Sequence, residues 1–160
     1  MGGCNVNKPR YLPWVFLTES AGVLSGIFSR KGIELFASAA EKPSISPPPI
    51  LFPVVWTILY FLMGISAARI ASFPDGRQRS LALNLFIIQL IVNFFWSLIF
   101  FNARIYGLAL LWLILLWMLI LAMILFFYKL DRPAAMLQIP YLLWVSFAAY
   151  LSYMVWLLNL

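Results

Sequence analysis

Histidine is absent from this 160-residue chain, and cysteine occurs once, as Cys4. The first absence removes the commonest zinc ligand, the commonest catalytic base and the usual haem ligand together. The second leaves no disulfide within the chain and no thiol-based metal site. No metal site and no resident cofactor are therefore expected. Charge is scarce as well. Asp, Glu, Lys and Arg make up 10% of the residues, against roughly 25% in a soluble domain. With 64% hydrophobic residues and a mean hydropathy of +0.96, the chain reads as an integral membrane protein. Spanning segments and short connections use it up, which excludes a separate soluble catalytic domain. The net charge of +6 sits almost entirely in the loops, where it points to topology and lipid headgroups, not to nucleic acid. The opening MGGCNV is similar to an acylation signal but carries Val6 where Ser or Thr is required. A cleavable signal peptide is not expected, because the first apolar run carries Glu19.

What is present is five apolar runs, read as spans at about 11–28, 50–71, 81–101, 105–128 and 134–160. Each reaches across about 30 Å of hydrocarbon at 1.5 Å per residue. Lipid leaves unpaired backbone groups unsatisfied, so all five are predicted to be helices. The fold class is an all-α membrane protein, a five-transmembrane-helix bundle in one domain over 1–160. Most connections are short and marked by Pro, Gly or charge, as in Phe73-Pro74-Asp75-Gly76 and Asp131-Arg132-Pro133. The one long connection, 29–46, is predicted to be a loop acting as a lid. Seven of the 11 Lys and Arg residues (Lys8, Arg10, Arg69, Arg77, Arg79, Lys129, Arg132) fall on the N-terminal side. The positive-inside rule then places the N-terminus in the cytoplasm.

Three helical faces carry the candidate chemistry. Phe52, Trp56 and Tyr60 are spaced four apart, behind the proline cluster Pro47, Pro48 and Pro49. Prolines hold the incoming chain extended and suit the first turn of a helix. Gln89, Asn93, Trp96 and Phe100 fall within about 60° on a helical wheel, and lipid cannot satisfy the two amides. Tyr141, Trp144, Ala148 and Leu151 share a third face, with Ser152 at its margin and Pro140 placed to kink the helix. Each face reads either as packing or as a wall of an aromatic pocket with a few oriented polar groups. Trp112, Trp117 and Trp156 read as lipid-facing, packing or interfacial residues. Glu19 is the one acid well inside a span, with Gly22 and Gly26 on its face. It reads either as a functional acid or as a neutral carboxyl bonded across a helix interface, and the GxxxG spacing predicts that this face packs against another helix.

The run EKPSISPPPILFPVVWTILYFLMG (Glu41 to Gly64) resembles the signature of the TspO/MBR family, the tryptophan-rich sensory proteins related to the mitochondrial translocator protein, or peripheral benzodiazepine receptor. The matching elements are Lys42-Pro43, Pro47-Pro48, Phe52, Val55-Trp56, Leu59-Tyr60 and Gly64. FFNARIYG (Phe100 to Gly107) resembles the family's third-to-fourth helix corner, and IPYLLWVSFAAYLSY (Ile139 to Tyr153) its fifth helix. The resemblance implies a five-helix bundle, usually a homodimer, with a pocket capped by the first loop. It implies binding of tetrapyrroles such as protoporphyrin IX, and of isoquinoline-carboxamide and benzodiazepine ligands. By position, the family's pocket residues fall on Trp56, Tyr60, Gln89, Asn93, Trp96, Trp144 and Ala148, to which the aromatic spacing adds Phe52. Lys42, Pro43, Pro47 and Pro48 fall at the lid and the start of the second helix. The chain departs from the family pattern at Phe36-Ala37, where a Trp-Tyr pair is usual, and at Ile45, where an aromatic is usual. Its C-terminal LSYMVWLLNL lacks the Lys or Arg of the proposed sterol motif, so sterol binding is not expected.

Three functions follow as expectations. The first is a receptor-like membrane protein that binds porphyrin-type ligands, with a sensory or stress-regulatory role in a prokaryotic cell membrane, or with porphyrin transport. The second, also implied by the resemblance, is light- or oxygen-dependent porphyrin breakdown, for which Trp56 and Trp144 are the candidate redox side chains. No other catalytic residue is expected. The third is a small proton-coupled exporter with Glu19 as proton carrier, disfavoured by the odd number of spans. The expected partners are a small aromatic ligand, the bilayer and a second copy of the chain, with no nucleic acid.

Overall fold

A computed structural model describes residues 8–41, 43 and 45–159. The readings on Cys4, Val6 and Lys42 lie outside them. Six α-helices follow in order: α1 (Tyr11–Ala39), α2 (Leu51–Ala71), α3 (Arg77–Ser97), α4 (Tyr106–Leu130), α5 (Arg132–Met136) and α6 (Ile139–Leu158). A π-helical turn, Leu98–Ala103, extends α3. Taken with its π turn, α3 is one apolar rod, and α5 with α6 is another, so five helical rods are long and apolar enough to cross a membrane. The protein is a multi-pass helical membrane protein.

The largest departure from the sequence reading is α1. Residues 29–39 were expected to begin the lid loop, yet the helix continues to Ala39. Arg30, Lys31 and Glu34 end the apolar run without ending the helix, because charge limits a span and not a helix. Arg30 Nε reaches Glu34 Oε1 at 3.3 Å across one turn, a pairing that supports helix. At 29 residues, α1 is about 43 Å long at 1.5 Å per residue, longer than the hydrocarbon it crosses. Its C-terminal turns stand clear of the membrane core. It stops at Ala40, whose backbone turns extended, shortly before Pro43.

Proline sets two further boundaries. The Pro47–Pro49 cluster ends in a turn, with Leu51 N donating to Pro48 O at 2.9 Å. The first turn of α2 therefore holds Pro53, while Pro47 and Pro48 lie before the helix. In the last rod, α5 and α6 are separate at Leu137–Gln138. Pro140 has no N–H for the carbonyl four residues back, and the break falls where that bond would have been.

α1 packs along α2, α3 along α4, and α4 along α6. Where α1 and α2 cross there is no room for a side chain: a Cβ on Gly64 would stand 2.5 Å from Val15 Cα. Thr18 Oγ1 meets Tyr60 O at 2.8 Å at the same crossing. The buried stripe of α4 is Ala109, Leu113, Leu116, Ile120, Met123 and Phe127, alternating three and four residues apart as in a heptad seam. Outward faces are apolar, with Leu12 82% and Phe16 73% exposed, as lipid-facing residues must be.

One ion pair ties α2 to the α4–α5 corner. Arg69 Nε and Nη2 donate to Asp131 Oδ2 and Oδ1 at 2.6 and 3.1 Å. The Asp131 side chain is only 11% exposed, but Arg69 is 34% exposed and would keep water if its partner were lost. Asp131→Ala should therefore cost about 1–2 kcal/mol, above an exposed pair and below a fully buried one. A lowered thermal midpoint in detergent checks this.

Candidate ligand-binding site

The three faces read from the sequence converge at the middle of the bundle. Tyr60 from α2, Gln89, Asn93 and Trp96 from α3, and Tyr141 and Ala148 from α6 are all buried. Phe52, Trp56 and Trp144 are half-buried around them. Helical periodicity does this: positions 52, 56 and 60 on α2, 89, 93 and 96 on α3, and 141, 144 and 148 on α6 each repeat every three or four residues.

The polar groups form one directed chain. Tyr60 Oη donates to Asn93 Oδ1 over a long 3.4 Å. Asn93 Nδ2 donates to Tyr141 Oη at 2.7 Å, and Tyr141 Oη donates to Gln89 Oε1 at 2.9 Å. Each hydroxyl and amide bonds the next, as buried polar groups generally do. Tyr141 is the hub, bonding both amides. Its place on the α6 face was legible from the spacing to Trp144 and Ala148, but the family resemblance did not mark it as a pocket residue.

Rings fill the space between α2 and α6. Phe52 and Trp144 stand 5.8 Å apart between centroids, edge to face. Trp56 stands 5.5 Å from Tyr60 and 6.1 Å from Tyr141. α2 and α6 are not among the helix pairs whose backbones pack closely, so these rings are the contact.

Three donors at this site have no partner. Gln89 Nε2, Trp96 Nε1 and Trp144 Nε1 are buried and make no hydrogen bond. Trp112 and Trp117, by contrast, are satisfied. Trp112 Nε1 donates to Val92 O at 2.8 Å and Trp117 Nε1 to Ser146 Oγ at 2.9 Å, so both act as packing residues between helices. An unpaired buried donor costs about 1–3 kcal/mol. Two of the three lie on the inward face of α3 and the third on α6.

The remaining predicted residues lie around this cluster. Pro43 is buried and Pro47 half-buried, while Pro48 and Ile45 are exposed. The lid proper is thus shorter than 29–46, beginning at Ala40. Its start is fastened to the end of α6: Glu41 N donates to Asn159 Oδ1 at 3.2 Å, and Asn159 Nδ2 to Glu41 O at 3.0 Å. Phe36, expected in the loop, belongs to α1. Its ring packs 5.2 Å from Phe100 and 5.5 Å from Phe101 on the π turn, and Phe100 in turn stacks on Trp96 at 5.2 Å. Glu19 is half-buried beside the α1–α2 crossing. The glycine face expected to pack with it divides. A Cβ on Gly22 would collide with the Tyr60 ring, whereas Gly26 has nothing within 4 Å. Beyond Gly22, α1 turns toward the π segment, where Ser29 and Gly32 are buried.

Fold and site together define a class: a five-span helical membrane protein whose centre is an aromatic cluster threaded by one polar chain. Comparison with known proteins narrows the class. The TspO/MBR family pattern matches residues 14–157. The tryptophan-rich protein TspO of Chlorobaculum tepidum is 36% identical over 149 residues, covering 89% of this chain and 91% of its own length. Protein CrtK of Rhodobacter capsulatus is 36% identical over 145 residues, covering 87% and 86%. The translocator protein of Bos taurus is 32% identical over 153 residues, covering 90% of each. The chain belongs to the TspO/MBR family, and this kinship supports a receptor-like role in a membrane.

Proposed function

We propose that the protein binds a flat, largely apolar tetrapyrrole of the protoporphyrin IX type in the space between α2 and α6, and serves as a sensory or stress-regulatory receptor. The observation that carries this reading is the set of three buried, unpartnered donors, Gln89 Nε2, Trp96 Nε1 and Trp144 Nε1. Aromatic rings on α2 and α6 supply stacking surface, and the donors supply orientation toward ring-edge acceptors. Isoquinoline-carboxamide and benzodiazepine ligands fit the same description, being flat with a carbonyl acceptor. Phe52, Trp56 and Trp144 are the rings that must turn aside. With its N-terminus in the cytoplasm of a prokaryotic cell, the lid and Asn159 lie at the outer end of the site.

Protoporphyrin IX titrated into the purified protein tests the reading. Tryptophan fluorescence should fall saturably, and Trp144→Phe, which removes one donor and part of the stacking face, should weaken binding by roughly tenfold. That factor corresponds to about 1.4 kcal/mol, within the range of one buried hydrogen bond. Non-saturable quenching, or equal affinity in Trp144→Phe, defeats the proposal.

A further inference from the structure

At the membrane end opposite the lid, a cleft of about 590 Å³ opens between the start of α1, the end of α2 and the start of α3. It takes no part in the aromatic cluster. Its polar lining is cationic: Lys8, Arg10 and Arg79, with Ser72. Its remaining lining is apolar, from the Trp14 indole, Ala68 and Ala71. Arg79 is held by two partners. Nη1 pairs with Asp75, one turn back, and Nη2 donates to Ala71 O at 3.1 Å. That leaves Arg79 Nε buried with no acceptor. Asp75 is the one acid in contact with these cations among the described residues, and its side chain is 94% exposed. Lys8 and Arg10 make no ion pair among the described residues. Ser72 does not compete for an anion through its hydroxyl proton, since Oγ donates to Arg69 O at 2.6 Å.

From this arrangement we propose that the cleft is a binding site for the phosphodiester headgroup of an anionic phospholipid. A phosphate oxygen replaces the exposed Asp75 as partner of Arg79, and as the guanidinium turns toward it Nε gains the acceptor it lacks, while Lys8 and Arg10 close over the remaining charge. Placement favours a lipid over a dissolved phosphate compound. The cleft lies at the end of three spans, where headgroups are, and an indole, that of Trp14, lines it, a side chain enriched at the membrane interface. Below the cations, the Trp14 indole, Ala68 and Ala71 give the first acyl carbons an apolar surface.

The test uses the full chain, purified in a neutral detergent and titrated separately with phosphatidylglycerol and phosphatidylcholine, with retained lipid counted by native mass spectrometry. Phosphatidylglycerol should be retained preferentially. Each cation removed from the cleft should weaken it about fivefold, the effect of one basic residue near an anionic headgroup. Arg79→Gln examines the buried donor. Because Arg79 also holds Ala71, the pair Lys8→Gln with Arg10→Gln, which precedes α1, provides a variant whose helices are untouched, and should lose roughly 25-fold. The control is Lys129→Gln with Arg132→Gln, which removes equal charge from the same end outside the cleft and should leave retention unchanged. Equal retention of the two lipids, wild-type retention in the Lys8 and Arg10 variant, or an equal loss in the control overturns the site. Inorganic phosphate that displaces phosphatidylglycerol at millimolar concentration overturns the lipid as its occupant.

Discussion

Gly64→Leu is expected to abolish the folded protein. The Cβ that any side chain brings would lie 2.5 Å from Val15 Cα, 2.8 Å from Val15 N and 2.8 Å from Thr18 Oγ1. Two of those atoms are backbone and cannot rotate away, so α1 and α2 would have to separate. Separation breaks the Thr18–Tyr60 bond and unpacks the crossing along its length. Overpacking in cores typically costs about 1–3 kcal/mol and more where relief is blocked, and here it is blocked. Three glycines supply a graded series. Gly22→Ala first meets the Tyr60 ring, a side chain, but one held in the central chain of hydrogen bonds, and should cost about 1–3 kcal/mol. Gly26→Ala meets nothing within 4 Å and should be neutral or gain up to about 1 kcal/mol from helix propensity. Yield of monodisperse protein and thermal midpoint in detergent should follow the order Gly26, Gly22, Gly64.

Asn93→Leu should damage both stability and binding. The variant is close to isosteric but strips two links from the polar chain. Tyr60 Oη loses its acceptor, and Tyr141 Oη loses the donor at 2.7 Å. Tyr60 Oη, left unpaired in the interior, costs about 1–3 kcal/mol, and Tyr141 Oη, which keeps its bond to Gln89, adds about 1 kcal/mol for the lost donor, so a total of about 2–4 kcal/mol is expected. Released from Asn93, the Tyr141 ring no longer fixes Gln89, and the donors assigned to the ligand under the proposed function lose their orientation. Protoporphyrin affinity should then fall by more than for Trp144→Phe, while Ser146→Ala, remote from the chain, leaves it unchanged. Paired thermal melts and titrations read the two effects separately.

Much of this architecture was legible in the sequence. Five spans followed from hydropathy, and the faces at 52–60, 89–100 and 141–151 followed from period 3.6, because amides and aromatics among aliphatic neighbours mark an inward side. Other features were hidden for definite reasons. The buried seam of α4 could not be seen because nearly every residue between Tyr106 and Phe127 is apolar, so lipid and core faces have the same composition. The extension of α1 to Ala39 was hidden by its charges, which end a hydropathy window while stabilising helix. Widening of α3 into a π turn at Leu98–Ala103 leaves no mark on hydropathy. It places Phe100 and Phe101 against Phe36 and brings Asn102 Nδ2 to Phe28 O at 2.9 Å. At Glu19 the face was only half right, since GxxxG spacing fixes a common side but does not say how far along α1 the neighbouring helix follows it.

Under the proposed function, Trp96 and Trp144 keep their unpartnered indole donors for a ligand. Indole N–H resonances of the seven tryptophans, recorded in nanodiscs during a protoporphyrin IX titration with each peak assigned by single Trp→Phe variants, test it most directly. Ring currents shift every nearby proton, so the informative quantity is the exchange of each indole N–H with solvent deuterium. Trp96 and Trp144 should gain protection on binding, while Trp112 and Trp117, already bonded to Val92 and Ser146, should exchange as before. Saturable binding with no added protection at Trp96 or Trp144 would contradict the account.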